Sequence, residues 1–302
     1  MTLNVEQVVL LPDGRSLGYA ECGDPAGAPV LYFHGAPSSR LDVMTPEFDA
    51  IASSVGVRLV AIDRPGMGLS DPKPDRTILD WPVDVVGFAE ASGLGRFSVL
   101  GAAGGAPYAI ACAVRIPHRL RSVGVVSGVA PMEVAEATDW AKPQHWLLFT
   151  LARRLPWLAR RAMTRMARDL MSGSERLLEN AMRSLPAADR EILGRPATRA
   201  NFLASLRSAF RRGEEGPFRD VVLVSRPWGF DLGKVPMIVN LWFGGQDVTV
   251  PPAAGRYLAG ALGRSEARFY PTDGHLSLLH NRLGDVLTGL LATAMREAGK
   301  PV

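Results

Sequence analysis

Three shortages in this chain each close off a class of function. Only two of its 302 residues are cysteines, Cys22 and Cys112, and no CxxC or Cys/His spacing surrounds them. That rules against a disulfide framework and a metal site, and both read as buried free thiols. No apolar run approaches the roughly 18 residues a membrane helix needs, and the opening MTLNVEQ lacks a basic n-region followed by an apolar stretch. No membrane partner is expected, and the expected address is the cytoplasm. Lysine is scarce too: only Lys73, Lys142, Lys234 and Lys300 appear among 34 basic residues, in a net charge of +4. So small an excess gives no ground for nucleic-acid binding.

What is present suits a folded core. Hydrophobic residues make up 47% of the chain and glycines number 31, a composition that can bury enough apolar surface to offset chain ordering. EQVVLLPDGRSLGYAE, broken by Pro12-Asp13-Gly14, reads as a hairpin. Apolar runs at Val30–Phe33, Val57–Ile62, Phe97–Leu100 and Val123–Val126 then alternate with helical segments near 45–54, 79–93 and 104–116. This is the βαβ rhythm of a parallel sheet covered on both faces. It resumes with strands at Pro236–Phe243 and Ala267–Tyr270 and helices near 252–263 and 282–298.

Between about 131 and 230 the strand rhythm stops. The segment reads as almost wholly helical, with breaks at Pro143, Pro156, Gly173, Pro186 and Pro196. It holds 17 basic and 11 acidic residues, so it carries all the excess positive charge. In 157–171 Leu158, Met163, Met166 and Leu170 share a face while Arg160, Arg161, Arg165 and Arg168 fall elsewhere, the pattern of a packed amphipathic helix with solvated arginines.

The chemistry concentrates at strand ends. Ser98–Leu100 runs into Gly101-x-Ala103-x-Gly105 and then a helix, the setting of a G-x-S-x-G nucleophile elbow, in which small neighbours let the chain turn sharply and lift the central side chain clear. Its centre here is alanine. His34-Gly35-Ala36-Pro37 follows the strand at 30–33, Asp63-Arg-Pro-Gly-Met-Gly-Leu-Ser-Asp71 follows that at 57–62, Gly244-Gly-Gln-Asp247 follows a late strand, and Gly274-His275 follows the last.

Taken together, these motifs resemble the α/β-hydrolase superfamily, in its branch of lidded serine esterases and lactonases. The resemblance covers essentially the whole chain, the insertion matching only as a type. It implies an α/β fold with a mostly parallel sheet of about eight strands, a main domain from 1–130 and 231–302, and a helical lid at 131–230. It also implies the chain order nucleophile, acid, histidine, which positions 103, 247 and 275 keep. His275 would then be the general base, Asp247 would hold its ring, and the backbone amides of Ala36 and Gly104 would form the oxyanion hole, Pro37 having no N–H to offer. Gly35 would allow close approach. His34 would brace its loop, and Asp63, Arg64 and Ser70 would be scaffolding. Asp273 and His280 are the lesser alternatives to Asp247 and His275.

Alanine offers no nucleophilic oxygen, so acyl transfer cannot run on this sequence. Either Ala103 replaces a catalytic serine by design, or the protein has abandoned nucleophilic catalysis; the retained HGAP loop, Asp247 and His275 favour replacement. An aspartate parent, as in epoxide hydrolases and haloalkane dehalogenases, fits less well. None of the five tyrosines lies within 131–230, where an epoxide hydrolase would need them, and Gly104 stands where a dehalogenase has tryptophan. Proline iminopeptidases share the organisation but typically carry an HGGPG-like loop and acidic lid groups, against HGAP and a basic insertion here.

The expected function is therefore hydrolysis of an ester, lactone or thioester through a serine at 103, with no cofactor and no metal. The expected ligand is small and hydrophobic or aromatic, met by Trp140, Trp146 and Phe149; an anionic group would suit the arginines. The alternatives are a non-catalytic binding protein and a base-only, non-hydrolytic enzyme on the same fold. The sequence does not decide between a monomer and a homodimer.

Overall fold

A computed structural model describes residues 3–132, 143–173 and 175–298, apart from the side chains of 143–146 and 176–177. Eight strands form one sheet: β1 (Gln7–Leu10), β2 (Ser16–Gly23), β3 (Ala28–Phe33), β4 (Val57–Ile62), β5 (Phe97–Ala102), β6 (Leu120–Val126), β7 (Val239–Gly244) and β8 (Ser265–Tyr270). Their order is β1-β2-β4-β3-β5-β6-β7-β8. β1 and β2 pair antiparallel, as do β2 and β4, and every later pairing is parallel.

The central parallel strands are mostly apolar without alternation because helices cover both faces, whereas the edge strand β8 is largely exposed. On one face α2 (Trp81–Ala91), α3 (Ala106–Arg115) and, later in the chain, the helix Pro252–Ala261 bury Val85, Phe88, Ile110 and Leu258 against Val60, Val99 and Leu241. On the other, α1 (Pro46–Ser54) and the closing helix His275–Ala298 bury Phe48, Leu283, Val286 and Leu290 against Tyr32, Leu100 and Trp242. Each fully buried side chain of this size adds about 2–3 kcal/mol of hydrophobic transfer, so the sheet is held from both sides.

Between β6 and β7 the described chain is helical: α4 (Pro143–Arg154), α5 (Pro156–Met171), α6 (Arg176–Ser184), α7 (Ala187–Gly194), α8 (Pro196–Ala209) and α9 (Glu215–Val224). α10 is Pro252–Ala261 and α11 is His275–Ala298. Proline opens α4, α5 and α8 and stands as the N-cap of α7, where its missing N–H removes no helical bond. The insertion has its own core, with Met163 and Leu170 of α5 meeting Leu203 of α8 and Val221 of α9. Arg160, Arg161, Arg165 and Arg168 of α5 are exposed. Among the described residues no helix is long and apolar enough to cross a membrane.

β6 and β7 begin at Leu120 and Val239 instead of the expected Val123 and Pro236, and a larger departure lies at the C-terminal helix. The closing helix starts at His275, seven residues before the expected 282. Its cap is not local: Asp189 of α7 accepts from the amides of His275, Leu276 and Ser277 at 2.8, 3.0 and 2.9 Å. A cap supplied from 86 residues away leaves no start signal beside the helix.

Candidate active site

Parallel strands all deliver their C-terminal ends to one edge of the sheet, and four loops converge there. Ala103 follows β5 in a 3-10 turn, Ala103–Gly105, that leads into α3. Its φ of +47° lies in the left-handed region, which a residue with a Cβ occupies only under constraint. The constraint comes from the flanking glycines. A Cβ on Gly105 would sit 2.0 Å from the Phe33 carbonyl oxygen, and one on Gly101 would sit 2.5 Å from that of Gly105. The Val129 amide also ties the Ala103 carbonyl at 3.2 Å.

β3 and β5 are neighbours, with Phe33 opposite Gly101, so the HGAP loop stands beside this turn. A Cβ on Gly104 would lie 3.1 Å from the Ala36 nitrogen, and one on Gly35 would lie 3.6 Å from the Ala103 methyl. Ala36 and Gly104 thus lie against each other beside residue 103, and all three line the same cavity. Buried groups hold the loop. Arg64, after β4, donates to the carbonyls of His34 and Gly35 at 2.6 and 2.7 Å, and Asp220 of α9 accepts from the same guanidinium at 2.7 Å. Burial, and then Arg64 beside it, press the His34 pKa well below the usual histidine range, and its Nδ1 donates to the Gly35 carbonyl at 2.8 Å. His34 is therefore neutral and internal. Asp63 is bonded to Arg40 and Leu69, and Ser70 donates to the Asp63 carbonyl, all away from the cavity.

Asp247 and His275 meet from the loops after β7 and β8. The ring Nδ1 lies 2.7 Å from Asp247 Oδ2, and Asp247 Oδ1 accepts from the amides of Thr249 and Val250 at 2.8 and 2.7 Å. Burial disfavours the imidazolium, but Asp247 and then Asp189 and Asp42 outweigh it, so the pKa of His275 is raised above the usual 6.5. Asp273 turns away, accepting from Asn281 and Arg282 at 2.7 and 2.9 Å. His280 packs on Phe48, and burial, with Arg195 behind it, lowers its pKa to about 4. Neither competitor forms a carboxylate–histidine pair.

A cavity of about 720 Å³ is lined by Gly35, Ala36, Ala103, Gly104 and His275 together. Its walls are mainly apolar, with Val126 and Val250 from the sheet side and Phe149, Met166, Leu170, Leu193 and Phe202 from the insertion. Trp140 lies outside the described residues, as does the side chain of Trp146. Among the described lining residues Asp42 is the one carboxylate, taking the Tyr32 hydroxyl at 2.7 Å, and none is an arginine or lysine. The insertion's arginines, which prompted an anionic ligand, are thus not on the described wall. Sequence reasoning missed Asp42, Asp189 and Asp220. Each is a single acid in an unremarkable local pattern, and only the fold brings it beside the loops that line this cavity.

This arrangement defines a class. The chain belongs to the alpha/beta hydrolase fold family, whose pattern matches residues 28–281. Among curated relatives it is 30% identical to a proline iminopeptidase of Neisseria gonorrhoeae over 142 residues, 43% of this chain and 44% of that protein. It is 32% identical to a non-heme chloroperoxidase of Streptomyces lividans over 133 residues, 43% of this chain and 48% of that one. The chain thus spans under half the length of the curated relatives it matches. Solved structures align over nearly the whole chain: a thermophilic esterase from Thermogutta terrifontis (TM-score 0.68, 19% identity, 96% of this chain and 98% of that one), and an enol-lactonase from Burkholderia xenovorans (TM-score 0.65, 19% identity, 95% and 100%). At that identity they bear on the fold alone.

Proposed function

We propose that the chain has the machinery of a serine hydrolase for ester-type bonds, complete except for the hydroxyl that alanine lacks at position 103. The observation that carries this reading is one cavity wall shared by the strained elbow residue, two amide-bearing loops and a histidine paired at 2.7 Å with a buried carboxylate. With serine at 103, His275 would take its proton, Asp247 would stabilise the imidazolium, and the amides of Ala36 and Gly104 would receive the oxyanion. Water would then resolve the acyl-enzyme through the same histidine. In this reading the helical insertion is a lid that shapes the acyl pocket, and the largely apolar lining favours a small hydrophobic or aromatic substrate.

An ester or lactone is preferred to a peptide. An aminopeptidase needs an anionic group for the substrate's ammonium; the insertion residues described on the wall include Asn180 and Asn201 but no acid, and the wall's carboxylate, Asp42, already accepts from the Tyr32 hydroxyl. The test is a substrate panel on Ala103→Ser: neutral aryl esters, a lactone and a prolyl anilide. Ester turnover at least about a thousandfold above that of the Ala103 protein is expected, with the anilide left behind; preference for the anilide would move the reading to a peptidase.

The alanine itself favours a second reading, for the protein as it stands. With no hydroxyl opposite, His275 is a general base open to a water molecule or to a substrate proton. If Ala103→Ser gains nothing, base-only chemistry or ligand binding takes precedence.

A further inference from the structure

The insertion does more than roof the cavity. Asp189, in α7, is fully buried and spends both carboxylate oxygens on the first turn of α11: Oδ2 accepts from the His275 amide at 2.8 Å, and Oδ1 accepts from Leu276, Ser277 and the Ser277 hydroxyl at 3.0, 2.9 and 2.7 Å. Ser277 Oγ in turn accepts from the Gly274 amide at 2.7 Å. The chain comes so close that a Cβ on Gly274 would stand 2.5 Å from either Asp189 oxygen. Three amides that a helix leaves unsatisfied, including that of His275 itself, are thus satisfied by one carboxylate from the insertion. A negative charge at a helix N-terminus also lies where the helix dipole favours it.

We propose that Asp189 is a positioning residue, which fixes the His275 backbone from the insertion and so makes the placement of the imidazole depend on α7 being docked. α7 also carries Leu193, part of the cavity wall, so one short helix links the substrate-contacting surface to the histidine. The inference rests on the reading of His275 as the base; its geometry does not depend on which reaction that base serves.

Asp189→Asn tests it. Asparagine keeps the volume, but its carboxamide has one acceptor oxygen where the carboxylate has two, and it carries no charge. The charged groups that act on the His275 ring are Asp247 from the loop after β7, Asp189 from α7 and Asp42 from the turn after β3; His280, on its own helix, packs on Phe48. The first readout is an NMR titration of His275 in the protein with Ala103, which needs no activity. The His275 pKa is expected to fall, because one of the three carboxylates sustaining it is gone, and the amides of 275–277 are expected to exchange faster. The second readout is kinetic: in an Ala103→Ser background the change should lower kcat about a hundredfold, the scale of a 1 Å misplacement, with KM altered far less. A loss of thermal stability with pKa and kcat unchanged would overturn the proposal. Should Asp189→Asn not fold, Ser277→Ala removes one bond from the same carboxylate; a severalfold fall in kcat is expected, and an unchanged kcat overturns the proposal. If Ala103→Ser is inactive while the His275 titration still shifts, the hydrolase reading fails and the positioning role stands.

Discussion

At the scale of the residue, the proposed hydrolase site turns on the alanine at position 103. Ala103 keeps a φ of +47° that its own side chain does not favour, because glycines at 101 and 105 and the Val129 amide leave the chain no other course. His275, on the same cavity wall, also bears a recognisable electrostatic mark. Asp247, Asp189 and Asp42 raise the His275 pKa above 6.5 against the effect of burial. A general base must be neutral to accept a proton, so the sign follows: in Ala103→Ser, kcat/KM for a neutral ester should climb with pH through a midpoint above 6.5 and then level off. A pH–rate profile measures this directly. A midpoint at or below the usual histidine value would show that the three carboxylates do not act on the ring as the geometry implies.

At the scale of the element, the insertion is joined to the main domain through polar anchors rather than lying loosely over it. Asn201 and Ser205 of α8 bond to the segment Ser38–Asp42, Asp189 caps α11, and Asp220 of α9 binds Arg64 and Arg76. Burial opposes the charge on Asp220, but Arg64 and then Arg76 outweigh it and hold the pKa down at about 2. A carboxylate with a depressed pKa stabilises the fold above its unfolded value of 3.8, and that contribution disappears as pH falls through about 2. Asp220→Asn leaves two buried guanidiniums short of a partner, so it should destabilise by about 3–5 kcal/mol near neutral pH. The gap from the parent should narrow as pH drops from 3.8 toward 2. Denaturant midpoints at several pH values test both parts; a gap that stays constant across that window would contradict the assignment. Because Arg64 also holds the carbonyls of His34 and Gly35, the same change should loosen the loop that carries Ala36.

The same elements explain what sequence could and could not disclose. The bounds of β4 were legible because a strand buried on both faces is mostly apolar, Arg58 being its exception, and the breaks expected at Pro143, Pro156 and Pro196 fall where α4, α5 and α8 begin. The elbow and HGAP loop left local traces in glycine and in position after a strand, whereas Asp247 and His275 were expected from the chain order that the resemblance implies. Asp42, Asp189 and Asp220 left none. A buried acid is identified by the donors around it, and here they lie 10, 86 and 156 residues away in Tyr32, His275 and Arg64.

At the scale of the whole molecule, five crossover connections link six parallel strands and bring loops from distant parts of the chain to one edge of an eight-stranded sheet, where the insertion supplies part of the wall of a cavity of about 720 Å³. The central claim is that this convergence leaves only a hydroxyl wanting. Exposing Ala103→Ser to an aryl fluorophosphonate and weighing the intact protein tests it most directly, since phosphonylation requires an activated serine and an oxyanion site but no knowledge of the natural substrate. One adduct, mapped to residue 103 and absent both from the Ala103 protein and from Ala103→Ser combined with His275→Ala, is the predicted result. An unlabelled Ala103→Ser protein that is correctly folded would contradict it.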